Sequence, residues 1–168
     1  MQAAGLRAYA KSQYGVALTL EDAEAYRARW LAAFPAVARW QRRTAAEGRR
    51  ELRVPSPAGR VRRWLGRRRG EFNAYKPTEA VNFPVQAGAA EALMAALARL
   101  DAALEASGLD AVPVLTVHDE IVLEVKEADA PAAKELLERC MLEGALELFP
   151  GMPTERLVEA KTARSWTK

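Results

Sequence analysis

VPVLTVHDEIVLEV, residues 112–125, decides how the chain folds. Two runs rich in β-branched residues, 112–117 and 121–125, flank the tripeptide His118-Asp119-Glu120. Such side chains favour the pleated, half-buried surface of a strand. A short polar tripeptide between two such runs predicts an antiparallel hairpin with its charges at or beside the turn. Adjacent carboxylates repel one another, and apolar strands on both sides add desolvation to that cost. A divalent cation relieves it: hard oxygen ligands select Mg²⁺ or Mn²⁺, and Mg²⁺ sites typically use one or two carboxylates plus substrate phosphates. The plainer reading, that Asp and Glu occupy the turn because they are soluble and turn-compatible, stays open on pattern alone.

Outward from the hairpin the pattern becomes helical. Residues 76–106 are rich in Ala and Leu and predict a long helix, with Pro84 expected to kink or restart it because proline lacks a backbone donor. Asn82 and Gln86 are four apart and share one face if that segment is helical. Their amides suit acceptors such as purine N3 and pyrimidine O2 in a minor groove, and equally suit capping of two helix pieces broken at Pro84. On the other side of the hairpin, Asp129-Ala130-Pro131 opens a helix to about Leu148, ended by Phe149-Pro150-Gly151-Met152-Pro153. Residues 155–161 predict a last strand, with Trp166 as a late anchor. Nearer the start, Thr19-Leu20-Glu21-Asp22 predicts an N-cap and a helix through about Phe34. Pro35 can begin a second helix over about 36–47, closed by Gly48. Residues 51–54 and 60–64 flank Pro55-Ser56-Pro57-Ala58-Gly59 as a second hairpin, followed by a basic loop from Gly66 to Asn73. The order of helices, hairpin, long helix, hairpin, helix and strand predicts an α+β fold with a small antiparallel sheet packed by helices.

Composition narrows the chemistry. The 168 residues contain one cysteine, Cys140, and one histidine, His118, which excludes an internal disulfide framework and a His-rich or Cys/His zinc site. Cys140, beside Met141 and Leu142, reads as a core residue, and the scattered Trp30, Trp40, Trp64 and Trp166 read as packing residues. No run approaches the ~20 apolar residues of a membrane span, and the start lacks the apolar core of a signal peptide; the expectation is a cytoplasmic protein with no membrane partner. The net charge of +3 conceals a polarised chain. Residues 1–76 carry 17 Lys and Arg against 6 Asp and Glu, a balance of +11, and residues 77–168 carry 8 against 16, a balance of −8. Residues 49–69 hold nine arginines, among them Arg60, Arg62 and Arg63, and one acid, Glu51. Arginine's planar fork matches phosphate oxygens, so the run reads either as a phosphate-backbone contact surface or as a solvated arginine-rich face.

These residues together resemble a known family. Leu115-Thr116-Val117-His118-Asp119-Glu120-Ile121-Val122-Leu123-Glu124 resembles the motif C hairpin of family A DNA polymerases, the bacterial DNA polymerase I type. Asn82-Phe83-Pro84-Val85-Gln86-Ala87-Gly88-Ala89-Ala90 is similar to the stretch that precedes it in those enzymes, which usually have Gly and a small hydroxyl residue in place of Ala87 and Gly88. Phe34-Pro35-Ala36-Val37 resembles the link between two fingers helices, and Ser56-Pro57-Ala58-Gly59-Arg60 resembles the Gly-Arg hairpin. The resemblance covers nearly the whole chain, with its motifs in order.

The resemblance implies one partial polymerase domain over residues 1–168, with fingers-derived helices over about 1–50 and palm-derived hairpins, long helix and C-terminal helix and strand over about 51–168. It implies template-directed nucleotidyl transfer to a primer 3′ end. Asp119 resembles the catalytic aspartate that binds two Mg²⁺ ions, Glu120 its accessory carboxylate, and His118 the residue that contacts the primer terminus. Asn82 and Gln86 resemble minor-groove readers near the primer end, and Arg60 resembles a backbone-binding arginine, with Arg62 and Arg63 in the same basic run. The implied partners are primer-template duplex, a deoxynucleoside triphosphate once a complete site is assembled, and an upstream polymerase fragment. The family's second aspartate, from motif A, and its nucleotide-binding helix with Arg, Lys and Tyr do not occur in these residues, and Ala4-Gly5 stands where the family usually has Tyr-Gly. The chain therefore supplies half of the two-metal site, and autonomous catalysis is not expected. The alternative is a non-catalytic duplex-binding module or a polymerase remnant. Removal of the upstream palm strands is also expected to leave the motif C hairpin with an uncovered apolar edge or face.

Overall fold

The computed structural model describes residues 2–65 and 75–166. The expected basic loop from Gly66 to Asn73, including Arg67, Arg68 and Arg69, lies outside the described residues. Nine α-helices and strands follow in order among the described residues: α1 (Ala3–Tyr14), α2 (Leu20–Ala33), α3 (Pro35–Glu51), β1 (Arg53–Pro55), β2 (Val61–Arg63), α4 (Pro77–Ser107), β3 (Ala111–Val117), β4 (Glu120–Val125) and α5 (Ala130–Leu148), with a short 3₁₀ helix, Glu127–Asp129, leading into α5. The α+β architecture is as expected, with two separate two-stranded sheets, β1–β2 and β3–β4. No helix among the described residues is long and apolar enough to cross a membrane. The chain divides into two compact units, one of residues 1–54 and 61–83, the other of residues 55–60 and 84–168.

In the first unit, α1 packs on α2 and α2 on α3. Helix α2 starts at a full capping box. The Asp22 N–H donates to Thr19 Oγ1 at 3.0 Å, and the Thr19 N–H donates to Asp22 Oδ2 at 3.1 Å. Aspartate thus takes the part that glutamate or glutamine usually plays at this position, and the hydrogen bonds from Thr19 hold its carboxyl below the ordinary aspartate range. Helix α3 runs past the stop expected at Gly48. Its left-handed cap is Leu52, at φ 52°. Gly48 is buried inside the helix, where a Cβ would stand 2.8 Å from Val54 Cγ2 and 3.2 Å from the Tyr75 ring. The glycine is therefore a close-approach residue rather than a terminator. Val54, Trp64 and Ala80 form the small core beside it, with Tyr75 and Phe83 packed against them. The Tyr75 hydroxyl donates to the Ala45 carbonyl at 2.5 Å, and burial pushes its phenol up from the ordinary tyrosine range.

The second unit is built on α5. Leu136, Leu137 and Cys140 of α5 bury against Ala96, Leu100 and Leu104 of α4 and Ile121 of β4, with Leu100 wholly enclosed. Cys140 is a core residue as expected, and desolvation raises its thiol above the ordinary cysteine range. In the hairpin Val117 pairs with Glu120 and Ala111 with Val125, with a bulge between Pro113 and Leu115. Proline there fits a two-stranded ribbon, because a bulge relaxes the ladder that proline cannot donate to. The expected strand over 155–161 is absent. Those residues are turn and coil, and the Ala160 N–H donates to Glu138 Oε1 of α5 at 2.8 Å, a side chain taking the place of a ladder partner.

Gly144 sets the spacing within this unit. A Cβ at 144 would lie 2.5 Å from the Ala96 nitrogen and 2.8 Å from the Ala92 carbonyl oxygen, so the two helix backbones touch there. Neither neighbour can yield as a flexible side chain would. Gly144→Ala is expected to lower unfolding stability by about 1–3 kcal/mol, the usual cost of overpacking, despite alanine's better helix propensity. Urea denaturation followed by circular dichroism checks this, and an unchanged midpoint would contradict it.

Candidate functional site

Pairing of Val117 with Glu120 leaves His118 and Asp119 as a two-residue loop between β3 and β4. His118 has φ 58°, while Asp119 is outside the left-handed region. Positive φ at the first loop residue is normally assigned to glycine, and a histidine held there stores about 1 kcal/mol or more of backbone strain. His118, Asp119 and Glu120 are all exposed. The apolar runs on either side predict desolvation of the two carboxylates; instead water reaches both. Glu120 begins β4, and its Oε2 accepts a hydrogen bond from the indole N–H of Trp166, itself about half exposed, at 3.4 Å. No cluster of three or more His, Cys, Asp or Glu placed to hold a metal occurs among the described residues. Asp119 and Glu120 are the two hard carboxylates at the turn that could hold a hydrated Mg²⁺-like ion, whose shell water and phosphate would complete.

Strand alternation assigns Ile121 and Leu123 to the core side of the hairpin, where both pack. Their neighbours Glu120, Val122 and Glu124 take the other side, opposite Val117, Leu115 and Val112. Val112 is 54% exposed and Leu115 44% exposed, and Val114 at the bulge is also exposed. The uncovered apolar face expected for this hairpin is present.

The remaining candidates lie on the β1–β2 hairpin and α4. Arg60 Nε is 3.5 Å from Glu91 Oε1, and its Nη2 donates to Met94 Sδ at 2.9 Å. In the first unit, Arg62 Nη2 is 3.2 Å from Glu79 Oε2, while Arg63 is exposed on β2. Asn82 and Gln86 lie on α4, both exposed. That helix is unbroken through Pro84, so the two amides are not caps of separate pieces, and their spacing puts them on one stripe. Gly88 is buried where a Cβ would stand 2.8 Å from Phe149 Cζ and 3.1 Å from Pro57 Cγ. This chain's departure from a small hydroxyl residue at that position therefore matches its own packing. Glu91 was not among the residues singled out from sequence. An acid set in the apolar run of residues 87–97 was the available signal.

A model of DNA polymerase family A matches residues 5–168. The chain belongs to that family. DNA polymerase I of Aquifex aeolicus is 36% identical over 168 residues, covering 100% of this chain and 28% of that protein. The thermostable DNA polymerase I of Thermus aquaticus is 34% identical over 165 residues, covering 96% of this chain and 19% of that protein. Among solved structures, the POL domain of Pol1 from M. smegmatis, in complex with DNA primer-template and dNTP, matches with a TM-score of 0.69 at 26% identity. That match covers 84% of this chain and 25% of the other. The family A chain described here thus spans little more than a quarter of these relatives' length at most.

Because glycine takes φ 58° without strain, His118→Gly is expected to leave unfolding stability unchanged or raise it by up to about 1 kcal/mol. Thermal unfolding checks this. A clear loss of stability would mean that the imidazole is held by packing rather than displayed at the turn.

Proposed function

We propose that this family A chain is the C-terminal part of a template-directed DNA polymerase domain, which binds primer-template duplex and contributes one side of the metal site for nucleotidyl transfer. The observation that carries the reading is the exposed turn at which Asp119 and Glu120 stand side by side in a family of polymerases. Asp119 and Glu120 would hold Mg²⁺, which when bound supplies charge neutralisation at the transferring phosphoryl group. The chain's own residues do the rest. His118, displayed by its positive φ, contacts the primer terminus. Asn82 and Gln86 donate to minor-groove acceptors common to all base pairs, which checks pair shape without reading sequence. Arg60, Arg62 and Arg63 bind backbone phosphates. The deoxynucleoside triphosphate joins only where the opposing carboxylate is supplied from upstream polymerase residues.

A second reading, a duplex-binding module without catalysis of its own, is favoured by the lack of a third metal-ligating group near the turn among the described residues. The two readings share the duplex and differ in chemistry. Duplex affinity is expected to fall linearly with salt on logarithmic axes, and Arg60→Ala, Arg62→Ala and Arg63→Ala combined should reduce that slope by about 0.9 for each phosphate no longer neutralised. Fluorescence anisotropy with a labelled primer-template measures both. An unchanged slope and affinity in the triple variant would overturn the reading. Primer extension with an upstream polymerase fragment added to supply the opposing carboxylate separates the alternatives: activity in Mg²⁺ that is abolished by Asp119→Ala would remove the non-catalytic module, and no activity would remove the catalytic one.

A further inference from the structure

Glu91 is a buried charge that the polymerase reading leaves without a task. Its side chain is 3% exposed, and it projects from α4 into the turn at residues 55–60. There it accepts the Ser56 hydroxyl at 2.5 Å and the Ala58 N–H at 3.0 Å. Its Oε1 also lies 3.5 Å from Arg60 Nε. The turn carries its own bonds as well, Ser56 N–H to the Arg60 carbonyl at 2.7 Å and Gly59 N–H to the Ser56 carbonyl at 3.0 Å. The carboxylate therefore holds the turn through Ser56 and Ala58 and also faces the Arg60 guanidinium.

Arg60 meets two groups of α4, Glu91 Oε1 at an ion-pair distance of 3.5 Å from Nε and the weak acceptor Met94 Sδ at Nη2, one helical turn along. Its side chain nevertheless remains 55% exposed. A long arginine that must bind phosphate from a free rotamer ensemble loses side-chain entropy in doing so, and one already held in place loses less.

We propose that Glu91 is a positioning residue that, together with Met94, preorganises Arg60 for a backbone phosphate of the bound duplex. This rests on the reading of Arg60 as a phosphate contact. The sign of one substitution separates the proposal from plain electrostatics. Removing a negative charge beside a DNA-binding arginine strengthens DNA binding if only long-range attraction operates. Removing a positioning group weakens it.

The test is the affinity of the chain for labelled primer-template duplex across a salt series. Glu91→Gln keeps one acceptor oxygen, which can serve the Ala58 N–H while the Ser56 hydroxyl turns to accept from the new amide, and is expected to weaken binding about threefold to tenfold, the scale of one side chain's immobilisation. In an Arg60→Ala background the same substitution is expected to change nothing. If Arg60→Ala alone leaves binding unaltered, the phosphate reading of Arg60 fails. If Arg60→Ala weakens binding while Glu91→Gln leaves it equal or stronger, the positioning role fails and the phosphate reading stands. Should Glu91→Gln lower the melting temperature markedly, Met94→Leu carries the test, because Met94 is half-exposed and its replacement spares the turn. About twofold weaker binding in that variant supports the proposal, and unchanged binding overturns it.

Discussion

The backbone contact between α4 and α5 at Gly144 is the constraint on which the second unit depends. Two helices that meet where one carries a glycine between Ala92 and Ala96 of the other can interdigitate Leu100, Leu136, Leu137 and Cys140 one turn further along. The hairpin's Ile121 and Leu123 rest on that layer. With the core side of the hairpin so fixed, alternation leaves the opposite side apolar and open, and the register of Val117 with Glu120 fixes which residues form the loop. A one-residue slip would exchange the two sides of β4. The position of Asp119 in the loop therefore follows from the packing of α4 on α5, remote from it in sequence.

Strain and charge are concentrated at places the core does not need. His118 at φ 58° is a poor choice for a turn in a protein selected only to fold. Glu91, buried with its carboxylate turned to Ser56, Ala58 and Arg60, is a costly choice for a helix core, since a carboxylate taken out of water must recover its lost hydration from such partners. Both departures from local consistency sit beside residues that the polymerase reading uses, which is where such conflicts are expected.

Much of this was legible in the sequence. Residues 112–125 announce their hairpin because β-branched runs and a polar tripeptide admit few other structures, and the long helix over 76–106 differs by a residue or so from α4. Thr19 and Asp22 mark the start of α2 by a mechanism that the structure reproduces bond for bond. Other features were hidden for physical reasons. Helix α1 begins at Ala3, after Gln2, which makes no side-chain cap, and has no acid in its first turn, so only Gly15 at its end offered a signal. Gly48 looked like a stop because glycine is shared by helix ends and by close approaches, and only its packing against Val54 and Tyr75 distinguishes them. The strand over 155–161 failed because a strand needs a partner, and Ala160 found a glutamate of α5 instead. At the site, Asp119, Glu120 and His118 could be picked out by residue type. The grip of Glu91 and Met94 on Arg60 could not, because it joins residues about thirty positions apart in the chain.

Amide hydrogen exchange of the chain with and without primer-template duplex tests the central claim most directly. Duplex binding is expected to slow exchange in the hairpin of residues 55–63 and in the turn of residues 118–120, and to leave α5 unaffected. Protection that spares both hairpins, or that falls on α5 alone, would contradict it.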